Sequence, residues 1–166
     1  MEEADVVQAR LALSRRQEMA GFSTIVLLAV DNSEPSEYAF NWYRDYIHRA
    51  ENYVVLLHCT DHNNQDFRDA SPGRTKAMLK ELTEKMKAIE EKFGQWMQLA
   101  GIHGKIRKGS GKPGEAIVKA AAEEGACMIV TGTRGHGKIK RAFLGSVSDY
   151  VVHHAPVPVI ICRSKA

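Results

Sequence analysis

The chain has no apolar run near the ~18 residues a membrane-spanning helix needs, so no segment reads as a membrane span. It opens on a charged, helix-forming stretch without the apolar core of a secretory signal. Its three cysteines, Cys59, Cys127 and Cys162, lie far apart in apolar, strand-like runs. With no C-x-x-C pair and no Cys/His metal spacing, a disulfide framework and a zinc site are excluded. The thiols read as buried and reduced, and a cytoplasmic location is the expectation. Charge of one sign is also scarce: 23 Lys and Arg against 20 Asp and Glu leave a net charge of +3. The densest basic cluster, Arg134 to Arg141, lies inside a Gly-rich loop, where it suits a small phosphate ligand at least as well as a duplex. No nucleic-acid partner is expected. What remains is ordinary: 44% hydrophobic and 26% charged over 166 residues fits one globular domain with a real core.

The apolar residues are organised. Thr24 to Val30 and Tyr53 to Cys59 are continuous runs of strand formers, the pattern of parallel strands covered on both faces. Cys127 to Thr131 and Val159 to Cys162 are two more, and Ile102 to Lys108 alternates weakly, as an edge strand would. Between them lie helical patterns. Ser33 and Pro35 start one containing Ala39, Trp42, Tyr43 and Tyr46. Asp61 to Arg74 reads as a loop with a Ser71-Pro72-Gly73 turn signal. A stripe of Met78, Leu82, Met86, Ile89, Phe93, Trp96 and Ala100 then marks a long helix with a core-facing side. Pro113 opens a helix over Glu115 to Glu124 that Gly125 closes, and the last helix runs from about Ser146 to His154. Residues 1 to 21, with mixed charges and good helix formers but a weak apolar face, read as a flexible, transiently helical tail outside the core, leaving 22–166 as the domain. The alternation predicts an α/β fold: one doubly wound, five-stranded parallel sheet with helices on both faces.

Ligands of such sheets bind beyond the carboxyl ends of the strands, where the strand order reverses. Two segments fall there. Asp31 ends the first strand; its carboxylate could accept ribose hydroxyls, receive a base amino group or help hold a cation, and equally could close an Asx turn with Ser33. Gly132-Thr133-Arg134-Gly135, then nine residues, then Gly145-Ser146, joins the fourth strand to the last helix. Glycine lets backbone N–H groups approach a phosphate, and a helix N-terminus favours negative charge. Ser146-x-x-Asp149 also has the form of a capping box, so the Ser146 and Ser148 hydroxyls have two readings, cap or phosphate contact.

Two further motifs fail on inspection. Gly132-x-x-x-x-Gly137-Lys138 matches a Walker A loop until Ile139, which has no hydroxyl for magnesium. Gly109-x-Gly111-x-x-Gly114 spells a dinucleotide fingerprint, but the next strand ends Val130-Thr131-Gly132, without the acid that would hold ribose. A tight turn into a Pro-started helix explains these glycines. His153 and His154 are adjacent and so fall on different helix faces, which excludes a two-ligand metal site on that helix.

Taken in order, Leu27 to Asp31, Leu56-Leu57-His58-Cys59, Gly109 to Pro113, and Gly132-x-x-Gly135-x9-Gly145-Ser146 followed by Pro156-Val157-Pro158-Val159 resemble the universal stress protein family, in its ATP-binding branch. The resemblance covers about residues 22 to 163. It implies the strand order 3-2-1-4-5. It also implies that Ala29, Val30 and Asp31 line the adenosine end, with Asp31 nearest the ribose, and that the backbone at Cys59 meets adenine. Gly132, Gly135, Gly145 and Ser146 would hold ribose and phosphates, Val147 and Ser148 would complete the contacts at the helix terminus, and Arg134 would be a basic residue of the loop. The implied ligand is ATP, or AMP or ADP, with Mg2+ or Mn2+ beside the phosphates. The implied assembly is a homodimer through the last strand, Val157 to Cys162. The expected role is that of a nucleotide-dependent sensor or switch rather than an enzyme. The rival is a slow ATPase or a phosphoryl or adenylyl transferase, against which stand the missing general base and the absence of an S-G-G-x-D-S loop after the first strand, where the chain has Asp31-Asn32-Ser33-Glu34.

Overall fold

The computed structural model describes residues 3–60, 67–133 and 144–164. Five strands, β1 (Thr24–Val30), β2 (Asn52–Thr60), β3 (Gly104–Ser110), β4 (Met128–Gly132) and β5 (Val159–Cys162), form one sheet in the order β3-β2-β1-β4-β5. All four pairings are parallel, so every crossover must carry a helix or long connection over a face of the sheet. The helices among the described residues are α1 (Glu3–Glu18), α2 (Glu34–Tyr46), α3 (Pro72–Leu99), α4 (Pro113–Glu124) and α5 (Ser146–His154).

The continuous apolar strands are explained by the two cores they serve. Val26, Leu28 and Val30 of β1, with Val54 and Leu56 of β2, face Ala39, Phe40 and Tyr43 of α2 and Ile89 and Phe93 of α3. Alternate residues Leu27, Val55 and Leu57 face Ile117, Ala120 and Ala121 of α4 and Val151 of α5. Each strand residue therefore loses its solvent on one face or the other, and no polar alternation can survive in the central strands. A second-order feature ties the β3 edge down. Glu124, 4% exposed at the end of α4, pairs with Lys105 Nζ at 3.0 Å and Arg107 Nη1 at 2.6 Å, and Arg107 also meets Glu123.

Several expectations are corrected. The long helix begins at Pro72, not after Arg74: Ser71 is its N-cap and Pro72 its first residue, so the supposed turn signal is a helix start. On its stripe, Ile89 and Phe93 are buried, but the third buried residue is Met97; Ala100 is the C-cap and exposed. Of the three thiols only Cys162 is buried. Cys59 is half-buried, and Cys127, just ahead of β4, is exposed. Apart from these corrections, the segment read as a transiently helical tail carries α1 over Glu3–Glu18, with its large apolar residues Val6, Val7, Leu11 and Leu13 exposed. Only beyond it do Met19 and Phe22 pack on the α4–α5 side of the sheet. The loop expected from Asp61 lies outside the described residues up to position 66.

Candidate functional site

β1 and β4 are neighbours at the centre of the sheet. From β1 the chain moves to β2 on one side, and from β4 to β5 on the other, so their carboxyl ends part and leave a crevice at the reversal. The predicted residues meet there. Ala29, Val30 and Asp31 form the β1 wall, Cys59 stands at the end of β2, and Gly132 ends β4. Gly145, Val147 and Ser148, at the start of α5, form the opposite wall. Ser146, the first residue of α5, is not in the lining. Arg134 and Gly135 lie outside the described residues, as does the rest of the segment carrying the Walker-like and basic-loop readings.

Asp31 makes the Asx turn. Its Oδ1 accepts from the Ser33 backbone N–H at 2.9 Å and from the Ser33 hydroxyl, while its own N–H donates to Ser36 Oγ at 2.8 Å. Ser33 is at the same time the N-cap of α2. The carboxylate is thus fixed at the mouth of the crevice, and it is the one acid among the described lining residues. No group of three or more His, Cys, Asp or Glu among the described residues could hold a metal ion. Asp31 is the carboxylate of the described lining that could help hold a cation.

The capping box at Ser146 is not formed. Gly145 is the N-cap, with φ −63° and ψ 154° and no side-chain cap hydrogen bond. A glycine cap offers the first-turn N–H groups no acceptor, so this end of α5 presents donors and the positive end of its dipole. Ser148 is 2% exposed, and its hydroxyl donates to the Gly132 carbonyl at 3.2 Å, tying α5 to the end of β4. Gly132 itself is required by packing: a Cβ there would lie 2.4 Å from the Pro35 carbonyl oxygen. The three glycines of the rejected fingerprint have equally structural roles. A Cβ at Gly109 would meet Cys59 Sγ at 2.9 Å, Gly111 has φ +89°, and a Cβ at Gly114 would meet the Tyr150 ring at 2.8 Å.

Sequence reasoning gave no site role to Leu57, Pro113 and Ile117, which make the apolar side of the crevice, or to Ser36. Pro113 and Ile117 sit one turn apart at the start of α4, which the crossover brings over β2 and β1. In the sequence Pro113 reads as a helix start, Leu57 as part of a strand run and Ile117 as one more residue of the Glu115 to Glu124 helix. The finished crevice has an acceptor on the β1 wall, donors on the α5 wall and an apolar side between. A ligand with a flat apolar part, hydroxyl or amino donors and an anionic end matches all three.

The profile described as "Universal stress protein family" matches residues 23–163. A Staphylococcus aureus (strain USA300) relative that bears the universal stress protein name is 30% identical over 145 residues, covering 84% of each chain. Among solved structures, the protein MJ0577 superposes with a TM-score of 0.72 at 27% identity, over 86% of this chain and 97% of its own. A family protein from Arabidopsis thaliana, solved with AMP bound, superposes with a TM-score of 0.64 at 23% identity, over 87% of this chain and 94% of its own.

Proposed function

The chain belongs to the universal stress protein family, and from that premise we propose that it binds an adenine nucleotide in the crevice between β1, β4 and α5 and acts as a nucleotide-dependent switch. One observation carries the reading. Residues assigned to a nucleotide from three separate stretches of sequence line a single crevice whose acceptor, donor and apolar surfaces match ribose, phosphate and base. The Arabidopsis family protein with AMP bound has the same fold and supports the choice of ligand class. In this reading the base lies along Leu57, Pro113 and Ile117, near the backbone of Ala29 and Cys59. The ribose lies at Asp31, and the phosphates point toward Gly145 and the first turn of α5. A carboxylate repels phosphate, so the anionic end belongs on the α5 side. Arg134 and Gly135, which the resemblance assigns to the loop at the phosphates, lie outside the described residues, and Mg2+ or Mn2+, if bound, would offset phosphate charge with Asp31 as the carboxylate of the described lining that could help hold it.

We further propose a cytoplasmic homodimer through the β5 edge. Ile129 N–H donates to the Pro158 carbonyl and Thr133 N–H to the Cys162 carbonyl, so the even-numbered residues of β5 face β4 and the polar groups of Val159 and Ile161 face outward. The β3 edge, by contrast, carries Lys105, Arg107 and Lys108, the kind of charge that discourages strand addition.

Native mass spectrometry of the purified protein tests the nucleotide reading. A stoichiometric mass increment of ATP, ADP or AMP, lost on denaturation and absent from a Gly145→Val variant of unchanged circular dichroism, is expected. An unliganded mass with millimolar ATP present would refute it.

A further inference from the structure

Asp31 does not stand alone in the crevice: Ser33 and Ser36 hold it from two sides. Ser33 donates twice to Oδ1, through its N–H at 2.9 Å and through its hydroxyl. Ser36, only 5% exposed, accepts the Asp31 N–H at 2.8 Å, which fixes the main chain that carries the carboxylate. Ser33 Oγ in turn accepts from Ser36 N–H at 3.4 Å, so the three residues form one closed ring of hydrogen bonds. Their side chains all belong to the crevice lining.

From this ring we infer that Ser33 and Ser36 are positioning residues that make the site selective for ribonucleotides over deoxyribonucleotides. The inference rests on the nucleotide reading above. An ionised carboxylate is an acceptor only, so it recognises a sugar through the hydroxyls that donate to it. Discrimination between a hydroxyl and a hydrogen depends on leaving the carboxylate under-bonded when the hydroxyl is missing, and a group that can swing away relieves that penalty. The ring prevents the swing. Its two serines need not touch the ligand: Ser33 Oγ is engaged with the Asp31 carboxylate and the Ser36 N–H, and Ser36 Oγ with the Asp31 N–H. Removing the Ser36 hydroxyl would leave the Asp31 N–H without its acceptor and let the turn relax. Removing the Ser33 hydroxyl would delete one of two donors to Oδ1. In either variant the carboxylate could follow the ligand, and the ribose and deoxyribose forms would converge.

The test is calorimetric titration of ATP, 2′-deoxy-ATP and 3′-deoxy-ATP into the wild type and the Ser33→Ala, Ser36→Ala and Ser36→Thr variants. The wild type should bind at least one deoxy form roughly tenfold or more weakly, the loss of one hydrogen bond to a charged group. In the two Ala variants that ratio should fall to within about twofold while ATP still binds; Ser36→Thr, which keeps the hydroxyl, should restore it. A purely structural role would weaken all three nucleotides alike and leave the ratio unchanged, and that result would overturn the inference. Equal affinity of the wild type for ATP and both deoxy forms would also overturn it, with the nucleotide reading intact. Only a wild type that binds none of the three would refute both.

Discussion

Replacing Gly132 with alanine separates packing from ligand contact at the centre of the site. A Cβ at this position would sit 2.4 Å from the Pro35 carbonyl oxygen and 2.7 Å from the carbonyl carbon, with Pro35 Cβ at 3.3 Å. The first two contacts are with backbone, in the first turn of α2, and cannot be relieved by a rotamer change. α2 must move by several tenths of an ångström, and α2 packs on β4, β1 and β5 through Ala39, Phe40 and Tyr43, all fully buried. Forcing extra volume into such a contact typically costs about 1–3 kcal/mol. The displaced turn also carries Asp31, Ser33 and Ser36, so nucleotide binding should fall even though one methyl group adds no charge. Urea unfolding followed by circular dichroism gives the stability change, and calorimetry gives the affinity. A valine, bulkier still beside the Pro35 backbone, should be worse folded than alanine. If Gly132→Ala unfolds at the same urea concentration as the wild type, the close β4–α2 contact is not a constraint and this account of the glycine is wrong. Gly145→Ala is the control: at φ −63° and ψ 154° any residue is conformationally at ease, so stability should change little while affinity falls.

Three further outcomes follow from other parts of the molecule. Glu124→Ala leaves Lys105 and Arg107 without their buried partner; since those side chains keep 26% and 24% exposure, the cost should be about 2–3 kcal/mol, below the usual range for a broken buried pair, and a loss under about 0.5 kcal/mol in urea unfolding would show the network to be no better than a surface pair. His48 has its pKa lowered by burial and by the nearby His103, with Glu51 opposing; a histidine harder to protonate when folded destabilises the fold as pH drops below the ordinary value near ~6.5, so the unfolding midpoint should fall from pH 7 to pH 5 and fall less in His48→Gln, and equal pH dependence in both proteins would contradict this. Ile161→Pro removes an outward N–H from the β5 edge and should leave a folded monomer by light scattering, whereas Ile160, which packs on the α2–α3 core, would report on folding instead; an unchanged dimer with Ile161→Pro would exclude the β5 edge.

The strands were legible because burial on both faces leaves no other sequence for them: Thr24–Val30 needs only to be read as a continuous apolar run. Their order was not in the periodicity and came from the family resemblance, but the convergence of Asp31 and Gly132 followed from strand ends alone once β1 and β4 were neighbours. Local chemistry was harder to read where one residue type serves two roles. Ser71-Pro72-Gly73 satisfies a turn and a helix start alike, and the hydrogen bonds from Thr75 N–H to the Ser71 carbonyl and from Arg74 N–H to Ser71 Oγ decide. Ser146 looked like a cap until Gly145 took the position. Cys127 has the neighbours of a core residue, yet it is exposed while Ala126 beside it is buried, a difference that hydrophobicity does not mark. Ser36 was invisible for a different reason: its value lies in a hydrogen bond to the backbone five residues earlier, which depends on the turn and not on any spacing in the sequence.

The central claim is that the crevice binds an adenine nucleotide with its anionic end toward α5. Calorimetric titration of ATP into the wild type and into Gly145→Val, each verified as folded by circular dichroism, tests it most directly. The account predicts saturable binding of one nucleotide per chain by the wild type and its loss in the variant. Equal ATP binding by both proteins, or none by the wild type at millimolar ATP, would contradict it.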